Sequence, residues 1–93
     1  MVGSPRKSPA ELTPGWPHHK SDDFIAETAR QIALVVIEET RDRGLRPLSK
    51  LIGANHSTLL NVAEGRTWPS IALVARLEMF LDKPVWPAAG DKR

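Results

Sequence analysis

Short hydrogen-bonding side chains cluster near the middle of the chain, at His56, Ser57, Thr58 and Asn61. Two aliphatic residues, Leu59 and Val62, lie among them at the three-residue spacing of a buried helix face. A short helix that buries these two side chains turns the polar ones outward. Imidazole, hydroxyl and amide groups presented in this way suit the base edges of a DNA groove better than a catalytic cleft.

Two helical patterns meet at Gly53. Before it, aliphatic residues repeat at three and four positions, as one apolar face of a helix does: Leu48, Leu51 and Ile52. Gly53 can adopt the left-handed conformation that ends a helix, and Asn55 is a good N-terminal cap for the next one. The sequence therefore predicts helices over 45–52 and 55–64 joined by a tight turn.

A longer helix is predicted ahead of this pair, and another after it. Acceptor side chains at 21–23 start a helix of roughly 20 residues that ends at Gly44. Its inward stripe comprises Ile25, Ala29, Ile32, Ala33, Val36 and Thr40. A fourth helix is predicted over 70–81, after which Val85 and Trp86 are expected to fold back as a short fifth element. The residues expected to be buried in the last three helices are Leu48, Ile52, Leu59, Val62, Ile71, Val74 and Leu77.

Composition divides the chain into three parts. Residues 1–20 contain four prolines, two glycines and few aliphatic side chains, which predicts a mobile, basic, proline-rich arm. Residues 21–86 hold the predicted helices as one domain, and residues 87–93 form a C-terminal tail. The Arg6–Lys7 pair in the arm has two interpretations, contact with a neighbouring DNA minor groove or a solubilising tail.

Several classes of function are disfavoured by the composition. A chain of 93 residues makes one small domain with little room for a deep substrate pocket. The absence of cysteine rules out disulfides, a thiolate nucleophile and a cysteine-based zinc site, and it suits a reducing cytoplasm. The longest apolar run, 32–37, is six residues and too short to span a bilayer, and no signal peptide is expected. No catalytic, metal, cofactor or small-molecule site is evident, and the expected location is cytoplasmic, on the nucleoid.

Positive charge is concentrated around the central pair of helices. Residues 41–66 carry five basic and two acidic side chains, a balance of +3, whereas residues 21–40 carry one basic and five acidic ones, a balance of −4. The whole chain carries only +2. A polyanion would need this distribution, although a solvated basic surface would look the same.

The central pattern resembles a known family. The residues that carry the resemblance are Leu45-x-x-Leu48-Ser49-x-x-x-Gly53-Ala54-Asn55-x-Ser57-Thr58-Leu59-x-x-Val62-x-x-Gly65, then Arg66-Thr67-Trp68-Pro69-Ser70 and Ile71, Val74, Leu77 and Leu81. They are similar to the helix-turn-helix of the phage repressor and Cro type, also called the XRE family, over about residues 32–86. The resemblance implies an all-α fold, a small bundle of four to five helices with a helix-turn-helix motif like that of lambda repressor.

Several positions take a role from the family's pattern, in which the second helix of the motif enters the major groove. The base-reading positions are Asn55, His56, Ser57, Leu60 and Asn61. The phosphate-contacting positions are Arg46, Lys50, Thr58 and Arg66. Leu45 replaces a frequent glutamine, and Gly44 replaces a serine or threonine cap. The resemblance implies a sequence-specific regulator of transcription, bacterial or phage, that acts by occupying an operator on double-stranded DNA.

A second interpretation is a protein-interaction module, or antitoxin-like partner, that uses the same fold without binding DNA. The modest net charge favours it, as do three aliphatic side chains on the first helix that cannot all face one core: Leu34, Val35 and Ile37. A homodimer on two half-sites is also expected from the family. Its contacts would come from the first helix, including Phe24, or from Val85 and Trp86, unless Trp86 only seals the core of the monomer.

Overall fold

Four helices follow one another along the chain: α1 spans Phe24–Arg43, α2 Leu45–Ile52, α3 His56–Ala63 and α4 Ile71–Leu81. The computed structural model describes residues 7–86, and within that range it contains no strand. The all-helical expectation is confirmed, and each helix lies close to its predicted range. Arg6 and the predicted tail at 87–93 lie outside the described residues.

Side-chain caps fix where three of the helices begin. Asp23, Asn55 and Ser70 each precede a helix and accept a hydrogen bond from the N–H three residues on, at 2.8, 2.9 and 3.0 Å. Each cap satisfies an N–H that the first turn leaves without a partner, and it contributes about 1 kcal/mol. At the start of α2, Gly44 supplies no capping side chain, and its φ of 95° instead ends α1 and redirects the chain.

The core lies where α1 packs against α2 and α3, and where α2 packs against α4. Its buried members are Ile32, Ala33, Val36, Leu48, Ile52, Leu59, Val62, Leu73, Val74, Leu77 and Val85. Six of the seven residues predicted to be buried in the last three helices are confirmed. Ile71 is the exception, at 81% exposure, because the inward stripe of α4 runs through Leu73 and Leu77 and leaves Ile71 on the other side. Ile25, predicted on the inward stripe of α1, is also exposed.

After α4 the chain turns back on the core, and no fifth helix forms between Leu81 and Trp86. Val85 is buried, whereas Trp86 is 53% exposed. The Glu78 carboxylate accepts from the N–H of Trp86 at 3.0 Å and from that of Val85 at 2.9 Å, and these hydrogen bonds hold the pKa of Glu78 below its usual value. The predicted fold-back is confirmed for Val85. The backbone of Trp86 folds back as well, but its side chain is too exposed to seal the core.

Residues 7–20, called the N-terminal segment below, lie against the end of α3. Trp16 Nε1 donates to the carbonyl of Ala63 at 2.9 Å, and the N–H of Ala10 donates to the carbonyl of Gly65 at 3.0 Å. Carbonyls at the C-terminal end of a helix have no partner within the helix and must find one elsewhere. The N-terminal segment therefore completes the backbone hydrogen bonding where α3 ends.

Side-chain burial holds the N-terminal segment in place. Pro9 and Thr13 are fully buried, and Trp16 packs against the core. The mobile arm predicted over 1–20 is therefore wrong for 7–20, which belong to the helical domain. The prediction depended on the scarcity of aliphatic side chains, but proline rings and one indole bury apolar surface as well.

An ion pair ties the other end of the N-terminal segment to α1. The Arg30 guanidinium donates to the Glu27 carboxylate at 2.7 Å and to the carbonyl of Pro17 at 3.0 Å. Glu27 also accepts from the N–H of Ser21 at 2.8 Å. The hydrogen bond from Arg30 is the main reason that the pKa of Glu27 is lowered to about 2. The chain is thus held on both sides of Trp16.

Leu59 and Leu60 are adjacent leucines in opposite environments, and their truncation tests the placement of α3. Leu59 is fully buried, whereas Leu60 is 42% exposed. Leu59→Ala should lower the free energy of unfolding by about 2–5 kcal/mol, because it leaves a cavity in the core. Leu60→Ala should lower it by less than about 1 kcal/mol. Urea unfolding measures both, and equal losses would mean that α3 is rotated from the position described.

Alanine substitutions at Gly65 and Gly53 form a matched pair that tests the packing of the N-terminal segment against Gly65. Both have a φ of 73°, so alanine at either position incurs a left-handed strain of about 1–2 kcal/mol. A Cβ on Gly65 would lie 2.7 Å from the side chains of Ala10 and Trp16, whereas one on Gly53 would meet the flexible end of Arg76 at 2.9 Å. Gly65→Ala should therefore destabilise the protein by about 1–3 kcal/mol more than Gly53→Ala. Equal losses of unfolding free energy would argue against the packing of Ala10 and Trp16 on Gly65.

Candidate nucleic-acid interface

A tight turn sets the direction of α3 relative to α2. Gly53 ends α2 in the left-handed conformation, and its N–H and that of Ala54 both donate to the carbonyl of Ser49, at 2.9 and 3.2 Å. The Ser49 hydroxyl in turn donates to the carbonyl of Ala54. The Arg76 guanidinium of α4 donates to the carbonyl of Ile52 at 3.3 Å. These bonds satisfy the last carbonyls of α2 and fix the angle at which α3 begins.

The burial of two side chains decides which face of α3 is exposed. Leu59 and Val62 are 0% and 2% exposed, so their side of the helix faces the core. Ser57 and Asn61 lie four residues apart, which places them on one face, and that face is opposite the two buried residues. The sequence prediction that the polar side chains face away from the core is confirmed for Ser57, and Asn61 is partly covered.

The residues predicted to read bases come together at the start and along the outer side of α3. Asn55, His56, Ser57 and Leu60 are exposed, and Asn61 is half-buried. The group offers an imidazole, a hydroxyl, two amides and one aliphatic side chain within α3 and its N-cap residue. That mixture of donors, acceptors and an apolar contact is the chemistry that distinguishes base pairs in a major groove.

Asn55 is also committed to the structure of α3. Its Oδ1 accepts from the N–H of Thr58 at 2.9 Å and from the Ser57 hydroxyl at 3.2 Å. Only the amide N–H groups of Asn55 remain to contact another molecule. The cap predicted from the sequence is confirmed, and it leaves Asn55 as a donor, not a bidentate partner.

Basic side chains flank α3 on two sides. Arg46 and Lys50 are exposed on α2, four residues apart, and neither forms an ion pair with another described residue. Arg66 follows α3 and pairs with Glu64 at 2.9 Å, with both side chains well exposed. An exposed pair of this kind contributes little, so Arg66 can exchange the carboxylate for a phosphate. Thr58, the fourth predicted phosphate contact, is exposed on α3.

Acidic residues are nearly absent from this half of the molecule. From Leu45 to Leu77 the only acidic residue is Glu64, against four basic ones: Arg46, Lys50, Arg66 and Arg76. The acidic residues of α1 lie on a different helix, and two of them, Glu27 and Glu39, are paired with basic partners. The surface formed by α2, α3 and the following turn therefore carries net positive charge.

Two contributions to this surface were not predicted from the sequence. Arg76 reaches the turn at Ile52 from α4, although it is 24 residues away along the chain. The N-terminal segment reaches the end of α3 through Ala10 and Trp16. Arg76 has no local sequence signal, because its position follows from how α4 packs. The single tryptophan in a proline-rich stretch was the available signal for the N-terminal segment.

A shallow apolar groove of about 450 Å³ runs beside α3. Its walls include Trp16, Ile37, Leu45 and Leu60. Leu45 is half-buried here and packs as an apolar residue, so it cannot supply the hydrogen bonds of the glutamine frequent at that position. Leu60 lines this groove and is also exposed to solvent on α3.

Comparison of the chain with protein families, with curated proteins and with solved structures finds no match. The resemblance to the phage repressor and Cro type thus stays a prediction. Across residues 7–86, no helix is both long enough and apolar enough to cross a bilayer. In the same range, no three histidine, cysteine or acidic side chains are grouped as metal ligands.

Proposed function

We propose that the chain binds double-stranded DNA sequence-specifically, with α3 in the major groove and α2, the turn and α3 acting as a helix-turn-helix. The observation that carries the proposal is the exposed face of α3, whose polar side chains lie between the basic residues of α2 and Arg66. The resemblance of the same segment to the phage repressor and Cro type agrees with it. The protein would regulate transcription in a bacterium or phage by occupying an operator, in the cytoplasm and without chemistry or cofactor.

The dimensions of α3 suit a major groove. An α-helix with its side chains is about 10–12 Å in diameter, and the groove is about 12 Å wide. Asn61 offers a bidentate amide for adenine, and Ser57, one turn earlier, offers a hydroxyl oxygen as an acceptor, because its proton is donated to Asn55 Oδ1. His56 adds an imidazole at the start of the helix, and Leu60 an aliphatic contact for a thymine methyl group.

Phosphate contacts would supply most of the affinity. Arg46 and Lys50 lie on α2, Arg66 lies beyond α3, and Thr58, exposed on α3, adds a hydroxyl. Three cationic contacts release about three counterions, which gives a slope of about −2.7 for the logarithm of affinity against that of salt concentration. These phosphate contacts would give the same affinity for every DNA sequence, and the base-facing side chains would supply the preference for one sequence.

A second candidate function is binding to another protein, and the outer face of α4 favours it. Ile71 and Met79 are 81% and 68% exposed and share that face, which is a large apolar exposure for so small a domain. Of the residues considered for a homodimer, Phe24, Leu34 and Trp86 are also exposed, whereas Val85 is buried.

A salt titration with random duplex distinguishes the two functions. Binding that weakens steeply with salt supports DNA, and no binding at low salt supports a protein partner.

The proposed base-reading residues and the proposed phosphate-contacting residues should respond differently to truncation. Asn61→Ala and Ser57→Ala should each reduce the preference for the selected site by about 1–3 kcal/mol at one base pair, if the lost contact is bidentate. Lys50→Ala should weaken binding to every sequence alike and flatten the salt slope by about one unit. Arg41→Ala, on the exposed last turn of α1, removes the same charge at a residue not assigned to a phosphate and serves as the control.

The measurement is binding to a duplex selected from a random pool and to a random duplex, over a range of salt concentrations. An Asn61→Ala variant that binds both duplexes with an unchanged ratio would contradict the assignment of this face. A Lys50→Ala variant with the same salt slope as Arg41→Ala would contradict the assignment of Lys50 to a phosphate contact.

A further inference from the structure

The backbone of Lys7 is fixed at the turn that follows α3. Trp68 Nε1 donates to the carbonyl of Lys7 at 3.2 Å, across 61 residues of sequence. Three residues further on, the N–H of Ala10 donates to the carbonyl of Gly65 at 3.0 Å. The two hydrogen bonds bracket the turn between Gly65 and Trp68, so Lys7 and Arg66 belong to the same part of the surface.

Close packing beneath this contact leaves the N-terminal segment little freedom to shift. Gly65 is buried, and a Cβ on it would lie 2.7 Å from the side chains of Ala10 and Trp16. The indole of Trp16 donates to the carbonyl of Ala63, the last residue of α3. A basic arm that enters a minor groove has to extend away from the domain, whereas Lys7 is held against the domain.

The charge of Lys7 is available to another molecule. Lys7 is exposed, and no ion pair joins its ammonium to a carboxylate of the described residues. The nearest acidic residue along the N-terminal segment, Glu11, accepts from the N–H of Ser8 at 2.7 Å. That hydrogen bond is the main cause that lowers the pKa of Glu11, and the charge of Lys7 is a smaller one, without a direct ion pair between the two. The neighbouring acid at the turn, Glu64, is already paired with Arg66.

We infer that Lys7 binds a DNA phosphate next to the one bound by Arg66, and that Trp68 is a positioning residue that holds the Lys7 backbone there. The inference rests on the proposed function. Lys7 then extends the basic surface of α2, α3 and the following turn to the N-terminal segment. That segment would contact the phosphate backbone of the DNA. A lysine acts as a single point charge in such a contact, which adds affinity without sequence preference.

The test compares Lys7→Ala with Lys20→Ala in the full chain. Lys20 is exposed at the opposite end of the N-terminal segment, so its removal changes the net charge equally. Lys7→Ala should flatten the salt slope on random duplex by about 0.9 and leave the ratio of selected to random binding unchanged. Lys20→Ala should change neither. Thermal unfolding of both variants confirms that each is folded at the assay temperature.

Trp68→Phe keeps an aromatic side chain, smaller than the indole, and removes the N–H that donates to Lys7. In that background Lys7→Ala should change the slope by less than it does in the unsubstituted chain, because the lysine is no longer held beside Arg66. A Lys7→Ala slope equal to that of Lys20→Ala, while Lys50→Ala still flattens the slope, overturns the inference and leaves the proposed function intact. A chain that binds no duplex at low salt overturns the proposed function itself.

Discussion

The burial of Leu59 and Val62 is the constraint on which the rest of the site depends. A helix of eight residues has few side chains with which to fix its rotation, and these two are the ones enclosed by the core. A rotation by one residue, about 100°, would bring polar side chains into the core at a cost of several kcal/mol. The position of Ser57 and Asn61 on the exposed side is thus set by the burial of Leu59 and Val62 on the opposite side.

The ends of α3 are fixed by other parts of the chain. At its start, Asn55 caps the first turn and Gly53 sets the angle from α2. At its end, Trp16 donates to the carbonyl of Ala63, which the helix leaves without a partner, and Ala10 donates to the carbonyl of Gly65 in the following turn. A rigid scaffold at both ends allows a short helix to present its side chains in one geometry, which a sequence-reading surface requires.

Local signals predicted the parts of the fold that local interactions determine. Caps, glycine turns and the spacing of buried aliphatic residues are all encoded within a few positions, so the four helices and the exposed side of α3 could be derived from them. Ile71 was misplaced because Leu73 competes for the same inward stripe of α4, and the sequence pattern accommodates either. Short apolar patterns do not distinguish such alternatives.

Long-range contacts could not be predicted in the same way. The N-terminal segment has no helical or strand pattern, and its seat depends on a buried proline, a buried threonine and one indole that meet the end of α3. Arg76 reaches the turn after α2 only because α4 packs against α2. These contacts add Lys7 and Arg76 to the neighbourhood of α3, and the local pattern around α3 contains no trace of either.

The most direct test of the central claim is a titration of the ¹⁵N-labelled protein with duplex DNA, followed by amide chemical shifts. The account predicts that the largest changes occur from Asn55 to Asn61 and at Lys50 and Arg66, with little change along the outer face of α4 at Ile71 and Met79. Changes concentrated on the outer face of α4, with α3 unaffected, would contradict the claim that α3 is the DNA-reading element.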